Sequence, residues 1–331
     1  MSYISVIGAG SWGTTLACLL TTKGYDVTLW AHEKELAEEM SASRINRTYL
    51  PDIPLPEEMN VTPSIDQALR KARYVVNAVP SQYTRSVFQK ISSLLLDEAI
   101  LISVSKGIER GTLLTVSSIL RELCNHPVAV LSGPSFAKEV IQTLPAAVTI
   151  ATEDSDVGFI LQELFNINNF RVYTHNDIIG VEIGGALKNV MAVAAGISDS
   201  LGLGNNARAT LITRGLVEMT RLGIAMGAKE RTFSGLSGIG DLVLTCTSPL
   251  SRNYTVGTKL GQGMKLKDIL VQTKSVAEGI STAESSFELS RKHAVDMPIV
   301  EQVYRVLYEE KEPALAVQDL MERSLKSEFY G

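Results

Sequence analysis

Residues that could form disulfides or bind metals are scarce in this 331-residue chain. The three cysteines, Cys18, Cys124 and Cys246, lie far apart and form no CxxC pair, so we expect neither a disulfide framework nor a cysteine zinc site. The four histidines have no metal-binding spacing, and no metal ion is expected. The thiols should be reduced, with Cys18 on the inner face of a helix.

Excess positive charge and long apolar runs are also lacking. The net charge is -5, and the basic residues are scattered along the chain. A general nucleic-acid surface is therefore not expected, and any bound anion should be small and held by a few local groups. No apolar run approaches the roughly 20 residues that cross a bilayer, and no signal peptide is expected at the start of the chain. We predict a cytoplasmic protein without membrane insertion.

The first half of the chain alternates short apolar runs with helical patterns, and its length suits two domains. Continuous runs of Val, Ile, Leu and Ala are typical of parallel strands covered by helices on both faces. The predicted strands are Tyr3–Ile7, Val27–Trp30, Tyr74–Val79, Ile100–Val104, Val128–Leu131 and Ala147–Ala151, and the predicted helices include Trp12–Lys23, Ser86–Leu96 and Leu113–Leu123. This order predicts an α/β fold with a Rossmann-like doubly wound sheet over residues 1–176.

The second half has helical patterns only. Apolar residues recur at three- and four-residue spacing from Ile179 to Ile197, and Asp177 is a plausible N-cap for that long helix. Further helices are expected at Ala209–Ala225, Ser281–His293 and Pro298–Tyr308. Residues 177–331 are therefore predicted to form an all-helical domain.

A glycine turn follows the first strand and opens the first helix. Gly8, Gly10 and Gly13 match G-x-G-x-x-G, in which they permit the tight turn, the approach of a pyrophosphate and the packing of helix on strand. The helix N-terminus would then face the phosphates. The motif predicts binding of NAD or NADP. His32 and Glu33, at the end of the second strand, favour opposite coenzymes and leave that choice open.

Several polar residues follow strands of this sheet, at the edge where ligands of such folds bind. Lys106 follows an apolar strand and precedes a glycine, which favours a functional role over an ordinary surface lysine. Gly133 and Ser135 lie in a similar segment. The Ser135 hydroxyl could cap the next helix, contact a substrate, or do both.

The long helix of the second half contains a glycine pair followed by a lysine. Gly184 and Gly185 each cost a helix about 1 kcal/mol relative to alanine, so we expect something to approach that face closely. Lys188 lies one turn further on, beside Asn189. Partial burial would lower its pKa and suit it to proton transfer.

Two further segments suit a phosphorylated substrate. A glycine-rich turn ends at Asp241, and Ser251, Arg252 and Asn253 follow it. An arginine fork matches phosphate oxygens, and the flanking polar side chains could complete the shell. A small anionic substrate between the two domains is expected.

Taken together, these segments resemble bacterial NAD(P)-dependent glycerol-3-phosphate dehydrogenase along essentially the whole chain. The blocks that carry the resemblance are GAGSWG at 8–13, SKG at 105–107, SGPSFA at 132–137, GALKN at 185–189, GLGNNARA at 202–209, GLSGIGDL at 235–242, SRN at 251–253 and VAEG at 276–279.

The resemblance implies a role for each motif residue. Lys188 would be the general acid/base, and Lys106 would contact both the nicotinamide side and the substrate. The implied substrate residues are Gly133, Ser135, Asp241, Ser251, Arg252 and Asn253. The implied cofactor residues are Ser11, Trp12, His32, Tyr49, Ala137, Arg252, Val276 and Glu278. The resemblance also implies reduction of dihydroxyacetone phosphate, a place in glycerophospholipid synthesis, and a homodimer.

Two alternatives stay open. The β-hydroxyacid and 6-phosphogluconate dehydrogenases share the two-domain plan, but they typically place asparagine four residues after the catalytic lysine, where this chain has Ala192. A non-catalytic dinucleotide sensor is the second alternative. It would leave Lys106, Lys188 and the segment 251–253 without a purpose.

Overall fold

The computed structural model describes residues 3–272, 277–325 and 327–328. The strands are β1 (Tyr3–Ile7), β2 (Asp26–Trp30), β3 (Ile45–Asn46), β4 (Leu50–Pro54), β5 (Asn60–Thr62), β6 (Tyr74–Asn77), β7 (Ile100–Ser103), β8 (Val128–Ser132), β9 (Ala146–Ala151) and β10 (Phe170–His175). The helices are α1 (Ser11–Thr22), α2 (Lys34–Ser43), α3 (Ile65–Leu69), α4 (Ser81–Ile91), α5 (Val116–Leu123), α6 (Ala137–Ile141), α7 (Ser155–Phe165), α8 (Ile178–Ser200), α9 (Gly204–Ala225), α10 (Asp241–Thr247), α11 (Arg252–Gly261), α12 (Leu266–Gln272), α13 (Glu278–Lys292), α14 (Pro298–Tyr308) and α15 (Pro313–Met321).

An eight-stranded sheet forms the first half, in the order β10-β9-β8-β7-β6-β1-β2-β5. All six predicted strands lie in it, whereas β5, β10 and the small β3-β4 hairpin were not predicted. The expectation of parallel pairing needs one correction, because β8 and β9 are antiparallel. The helix in the connection between them, α6, has five residues and is about 7.5 Å long, so it cannot carry the chain back along a whole strand as a parallel crossover does.

Helices cover both faces of the sheet, as the prediction required. Neighbouring residues of β1 point to opposite faces: Val6 joins a cluster with α1 and α7, and Ile7 joins one with α4 and α5. Cys18 lies in the first cluster, which confirms its inner position, and all three cysteines are free and buried. The sheet is thus a doubly wound layer with two separate apolar cores.

Helix α8 forms the centre of the second half. It is long and apolar enough to cross a membrane, so the expectation that no apolar run approaches that length was wrong. Within the structure, however, 94% of its apolar window is buried. The neighbouring helices α9, α10, α11 and α13 surround it. Its apolar character therefore reflects its place as the core helix of a helical domain.

The glycine pair of α8 is approached by the protein itself. A Cβ on Gly184 would collide with the carbonyl oxygen of Ser237, and one on Gly185 would lie 2.7 Å from the Ser132 hydroxyl. Close approach was expected at this face, and the structure identifies what approaches. The two glycines let the sheet edge and the turn at 236–240 come within contact distance of the helix that carries Lys188.

Asp177 caps α8, which confirms the N-cap prediction. Its Oδ1 accepts the Gly180 N–H at 2.9 Å, and its Oδ2 accepts the Lys229 N–H at 2.8 Å and the Thr232 hydroxyl. The carboxylate is buried and therefore connects the start of α8 to the segment after α9.

We predict that Asp177→Ala lowers the free energy of unfolding by about 3 kcal/mol, because three donors lose a charged acceptor. Chemical denaturation monitored by circular dichroism measures the change. The control is Asp154→Ala, which removes the exposed N-cap of α7 and should cost about 1 kcal/mol. Equal losses in the two variants would contradict the linking role of Asp177.

Candidate active site

The three motif glycines occupy different environments at the start of α1. Gly8 has φ +115°, and a Cβ there would lie 2.8 Å from the Ala78 carbonyl oxygen. A Cβ on Gly13 would collide with the Gly8 carbonyl oxygen, whereas one on Gly10 would meet no described atom within 4 Å. The turn is thus close-packed at its ends and open at Gly10. Among the described residues no side chain caps α1, so its first amides suit a pyrophosphate.

Asn46 braces this turn from the β3-β4 hairpin. Its Nδ2 donates to the Ala9 carbonyl oxygen and to Thr14 Oγ1, both at 2.9 Å, and its Oδ1 accepts the Tyr49 N–H at 3.1 Å. The Ser11 hydroxyl donates to the Tyr49 carbonyl oxygen at 3.1 Å. Tyr49, an implied cofactor residue, therefore lies beside the glycine turn.

The other predicted residues on the dinucleotide side have less direct contacts. Trp12 is half-buried and packs tilted against Phe170, with 6.2 Å between ring centroids. The Ala137 carbonyl oxygen accepts the Thr15 hydroxyl at 3.4 Å. His32 is exposed and lies edge-on to Trp30 at the end of β2. The coenzyme choice therefore stays open at this position.

Lys106, Asp241 and Lys188 form one ionic cluster between the two halves of the chain. Lys106 Nζ donates to Asp241 Oδ2 at 2.6 Å and to the Gly133 carbonyl oxygen at 3.0 Å. Lys188 Nζ donates to Asp241 Oδ1 at 2.5 Å and to Thr245 Oγ1 at 2.9 Å. Lys106 and Lys188 thus share the carboxylate of Asp241, and all three residues were nominated separately from the sequence.

Burial controls the electrostatics of this cluster. Asp241 is fully buried, and the side chains of Lys188 and Lys106 are 8% and 16% exposed. The pKa of Lys188 is lowered to about 8, mainly by burial and also by the Lys106 ammonium, while Asp241 opposes the decrease. With both lysines charged, the cluster has a net positive charge that a bound anion can complement. Lys188 can also gain or lose a proton near neutral pH.

Gly133 and Ser135 border the cluster on the sheet side. The Gly133 carbonyl oxygen accepts from Lys106 Nζ and also from the Ser135 hydroxyl, at 3.0 Å each. Gly133 has φ +139°, and a Cβ there would lie 3.0 Å from Val148 Cα. Glycine at this position lets the carbonyl face Lys106.

The segment 251–253 uses two of its three side chains to hold backbone. Ser251 caps α11 by accepting the Tyr254 N–H at 3.2 Å, and Asn253 Oδ1 accepts the Gly279 N–H at 2.9 Å. Both residues are buried, whereas Arg252 is exposed. The guanidinium is therefore the group of this segment that can reach a ligand with least rearrangement.

Glu278 connects the two halves at the start of α13. Its Oε1 accepts the Ser81 N–H at 2.9 Å. Burial raises its pKa, and the Ser81 amide and the nearby Arg252 guanidinium oppose that rise. Glu278 and Arg252, both predicted on the cofactor side, thus lie close together. Val276, predicted beside them, lies outside the described residues.

Sequence reasoning missed two residues of this site. Thr245 contacts Lys188 from α10, and its position one helical turn after Asp241 is a signal that could have identified it. Asn46 had no such signal, because its strand has only two residues and its contacts are distant in sequence.

Comparisons with known proteins match both halves of the chain. A family model described as NAD-dependent glycerol-3-phosphate dehydrogenase N-terminus matches residues 3–158, and one described as the C-terminus of the same enzyme matches residues 177–318. A relative from Geobacter sulfurreducens, named glycerol-3-phosphate dehydrogenase (NAD(P)+), is 56% identical over 329 residues and 98% of each chain.

Solved structures agree with these matches. A glycerol-3-phosphate dehydrogenase from Coxiella burnetii has a TM-score of 0.94 at 41% identity, over 97% of this chain and 99% of that one. The enzyme of that name from Saccharomyces cerevisiae has a TM-score of 0.82 at 28% identity, with the same coverage. This chain therefore belongs to the NAD-dependent glycerol-3-phosphate dehydrogenase family.

Proposed function

We propose that this protein reversibly reduces dihydroxyacetone phosphate to sn-glycerol 3-phosphate with NADH or NADPH. The observation that carries the proposal is the cluster of Lys106, Asp241 and Lys188, which joins a dinucleotide-type domain to a helical domain. The names of the relatives supply the substrate class. The cluster supplies a proton donor and a net positive charge suited to a phosphorylated ketone.

The dinucleotide residues fit the coenzyme on structural grounds. Gly8, Gly10, Ser11, Trp12 and Gly13 would hold the pyrophosphate against the first turn of α1. The remaining cofactor contacts would come from His32, Tyr49, Lys106, Ala137, Arg252, Val276 and Glu278. When bound, NAD(P)H supplies the hydride that reduces the ketone.

The substrate would lie against the cluster and the segment 251–253. Lys106, Gly133, Ser135 and Asp241 would contact the three-carbon end. Ser251, Arg252 and Asn253 would take the phosphate, with Arg252 making the ionic contact because its guanidinium is exposed.

Lys188 is the proposed general acid. As C2 of the ketone receives the hydride, the Lys188 ammonium gives its proton to the carbonyl oxygen, and the neutral amine takes that proton back in the oxidation. Asp241 and Thr245 hold the ammonium in position through both contacts to Nζ. The Lys106 ammonium would stabilise the negative charge that develops on the oxygen.

We further propose that residues 1–176 form the dinucleotide domain and 177–331 the catalytic domain, with the change of domain between β10 and α8. The protein is proposed to act in the cytoplasm as a homodimer and to supply glycerol 3-phosphate for glycerophospholipid synthesis. Its substrate is a small phosphorylated molecule.

A substrate panel tests the activity. We expect NADH or NADPH to be consumed with dihydroxyacetone phosphate, and neither to be formed from NAD+ or NADP+ with the substrates of the rival dehydrogenase classes. Absorbance at the nicotinamide band measures each reaction, with 6-phosphogluconate and 3-hydroxyisobutyrate tested in the oxidative direction. No turnover of dihydroxyacetone phosphate would refute the proposal and favour the sensor alternative.

Removal of the proposed acid gives a second test. We predict that Lys188→Ala lowers kcat by about 10²–10⁴-fold, because a positioned general acid contributes that much, while NADH still binds. Stopped-flow turnover and quenching of nicotinamide fluorescence measure the two quantities. The control is Lys90→Ala, on an exposed position of α4, which should leave kcat unchanged. Near-normal turnover of Lys188→Ala would remove this assignment.

The pH profile follows from the lowered pKa of Lys188. Reduction needs the protonated lysine, so kcat/KM for reduction should be level below about pH 8 and fall tenfold per pH unit above it, whereas oxidation should rise through the same range. Asp241→Asn removes the charge that raises the pKa of Lys188. The falling limb of the reduction profile should therefore move to lower pH. A limb that moves upward, or stays in place, would contradict the coupling between the two residues.

A further inference from the structure

Residues 105–112, here called the Lys106 loop, run from the sheet into the helical domain. Lys106 lies near its start, between β7 and α5. Ile108, two residues later, is fully buried and belongs to the apolar core of the helical half, together with Ile183 and Leu187 of α8. The loop that carries Lys106 is therefore shared by the two domains, and its backbone position decides where the ammonium can reach.

The side-chain amide of one residue of α4 contacts two backbone groups of the loop, beside the Ser105 hydroxyl, which donates to the Val79 carbonyl oxygen at 2.5 Å, and the ion pair of Arg85 with Glu109 at 3.0 Å. Gln82, in the first turn of α4, donates from Nε2 to the Ile108 carbonyl oxygen at 2.8 Å. Its Oε1 accepts the Arg110 N–H at 3.1 Å. The amide thus pairs with two backbone groups of the loop as a neighbouring strand would, and it constrains the backbone from Ile108 to Arg110.

The helical domain holds the same stretch from the opposite side. The Ser285 hydroxyl of α13 donates to the Ile108 carbonyl oxygen at 3.1 Å. Arg110 forms an ion pair with Glu284 at 2.6 Å and donates to the Tyr308 hydroxyl at 2.6 Å. One carbonyl therefore accepts a hydrogen bond from each domain, and the loop has little freedom to move with either one alone.

We propose that Gln82 is a positioning residue for the reaction and that it acts through Lys106. The inference rests on the proposed function. By holding Ile108 and Arg110, Gln82 keeps the backbone at Lys106 at the distance from which Nζ reaches both Asp241 and the Gly133 carbonyl oxygen. Gln82 itself contacts neither Lys188 nor Asp241 in the structure.

The consequence for Lys188 can be measured separately from stability. The titratable groups near Lys188 in the described structure are Asp241 and Cys246 on α10 and Lys106 on its loop. Of these, the Lys106 ammonium lowers the pKa of Lys188. A loop that releases Lys106 from Asp241 should therefore raise the pKa of Lys188. A loss of packing that exposes Lys188 would also raise this pKa, but it would lower the temperature of unfolding as well, so both quantities are measured.

The test compares Gln82→Met with Gln162→Met in the full-length protein. Met keeps the length of the side chain and removes the amide. Gln162 is a matched control, since its Nε2 also donates to a backbone carbonyl oxygen at 2.8 Å, that of Val172, away from the Lys106 loop. Turnover of dihydroxyacetone phosphate, NADH affinity by fluorescence quenching, thermal unfolding and the pH profile are measured for each variant.

For Gln82→Met we expect kcat to fall about 10- to 100-fold, because small displacements of a catalytic group have costs of that size. NADH affinity should change less than twofold, and the falling limb of the reduction profile should move to higher pH. In a Lys106→Met background, Gln82→Met should lower kcat no further. The control should keep the kcat and pH limb of the unaltered protein.

The inference is overturned if Gln82→Met has the same kcat and the same falling limb of the pH profile as the control. It is also overturned if the decrease in kcat caused by Gln82→Met adds fully to the decrease caused by Lys106→Met. If Gln82→Met unfolds at a much lower temperature than the control, Gln82→Glu decides instead. That variant keeps the acceptor for the Arg110 N–H and places an oxygen against the Ile108 carbonyl, so it should show the same shift of the limb. An unaltered protein that does not turn over dihydroxyacetone phosphate would refute the proposed function rather than the role of Gln82.

Discussion

A buried carboxylate shared by two lysines is the constraint on which the rest of the site depends. Asp241 is fully buried, and an unpaired charge in that position would be strongly unfavourable. Its partners come from different domains, Lys106 from the sheet edge and Lys188 from the core helix. The need to pair one carboxylate therefore holds the two domains together at the proposed substrate site.

The sheet could largely be predicted because buried strands leave a strong local signal. Several of the six predicted strands are continuous apolar runs, as is typical of strands covered on both faces. The missed strands lack that signal: β5 has three residues at one edge, and β10, at the other edge, exposes Arg171 and Tyr173 on one side. The strand β9 was predicted, but its antiparallel direction was not. Direction depends on how far the connection reaches, which apolar patterning does not record.

The site could be predicted residue by residue but not as an arrangement. Lys106 and Asp241 were nominated from their place after a strand and a glycine-rich turn, and Lys188 from its unusual helix. That the two lysines share the Asp241 carboxylate depends on how the two domains pack. The glycine pair shows the same limit, because Gly184 and Gly185 indicated that space was required without revealing that Ser237 and Ser132 occupy it.

Groups of the proposed substrate site also make contacts within the protein, and this double role favours a rigid site. The Gly133 carbonyl oxygen accepts from both Lys106 and Ser135, and Asp241 accepts from two lysines. Donors that are already fixed by such contacts need little reorganisation when charge develops on a ketone oxygen. The same donors are already hydrogen-bonded within the protein. An incoming substrate must therefore replace some of these hydrogen bonds with its own. The exposed Arg252 is the group best able to contact the anion before that exchange occurs.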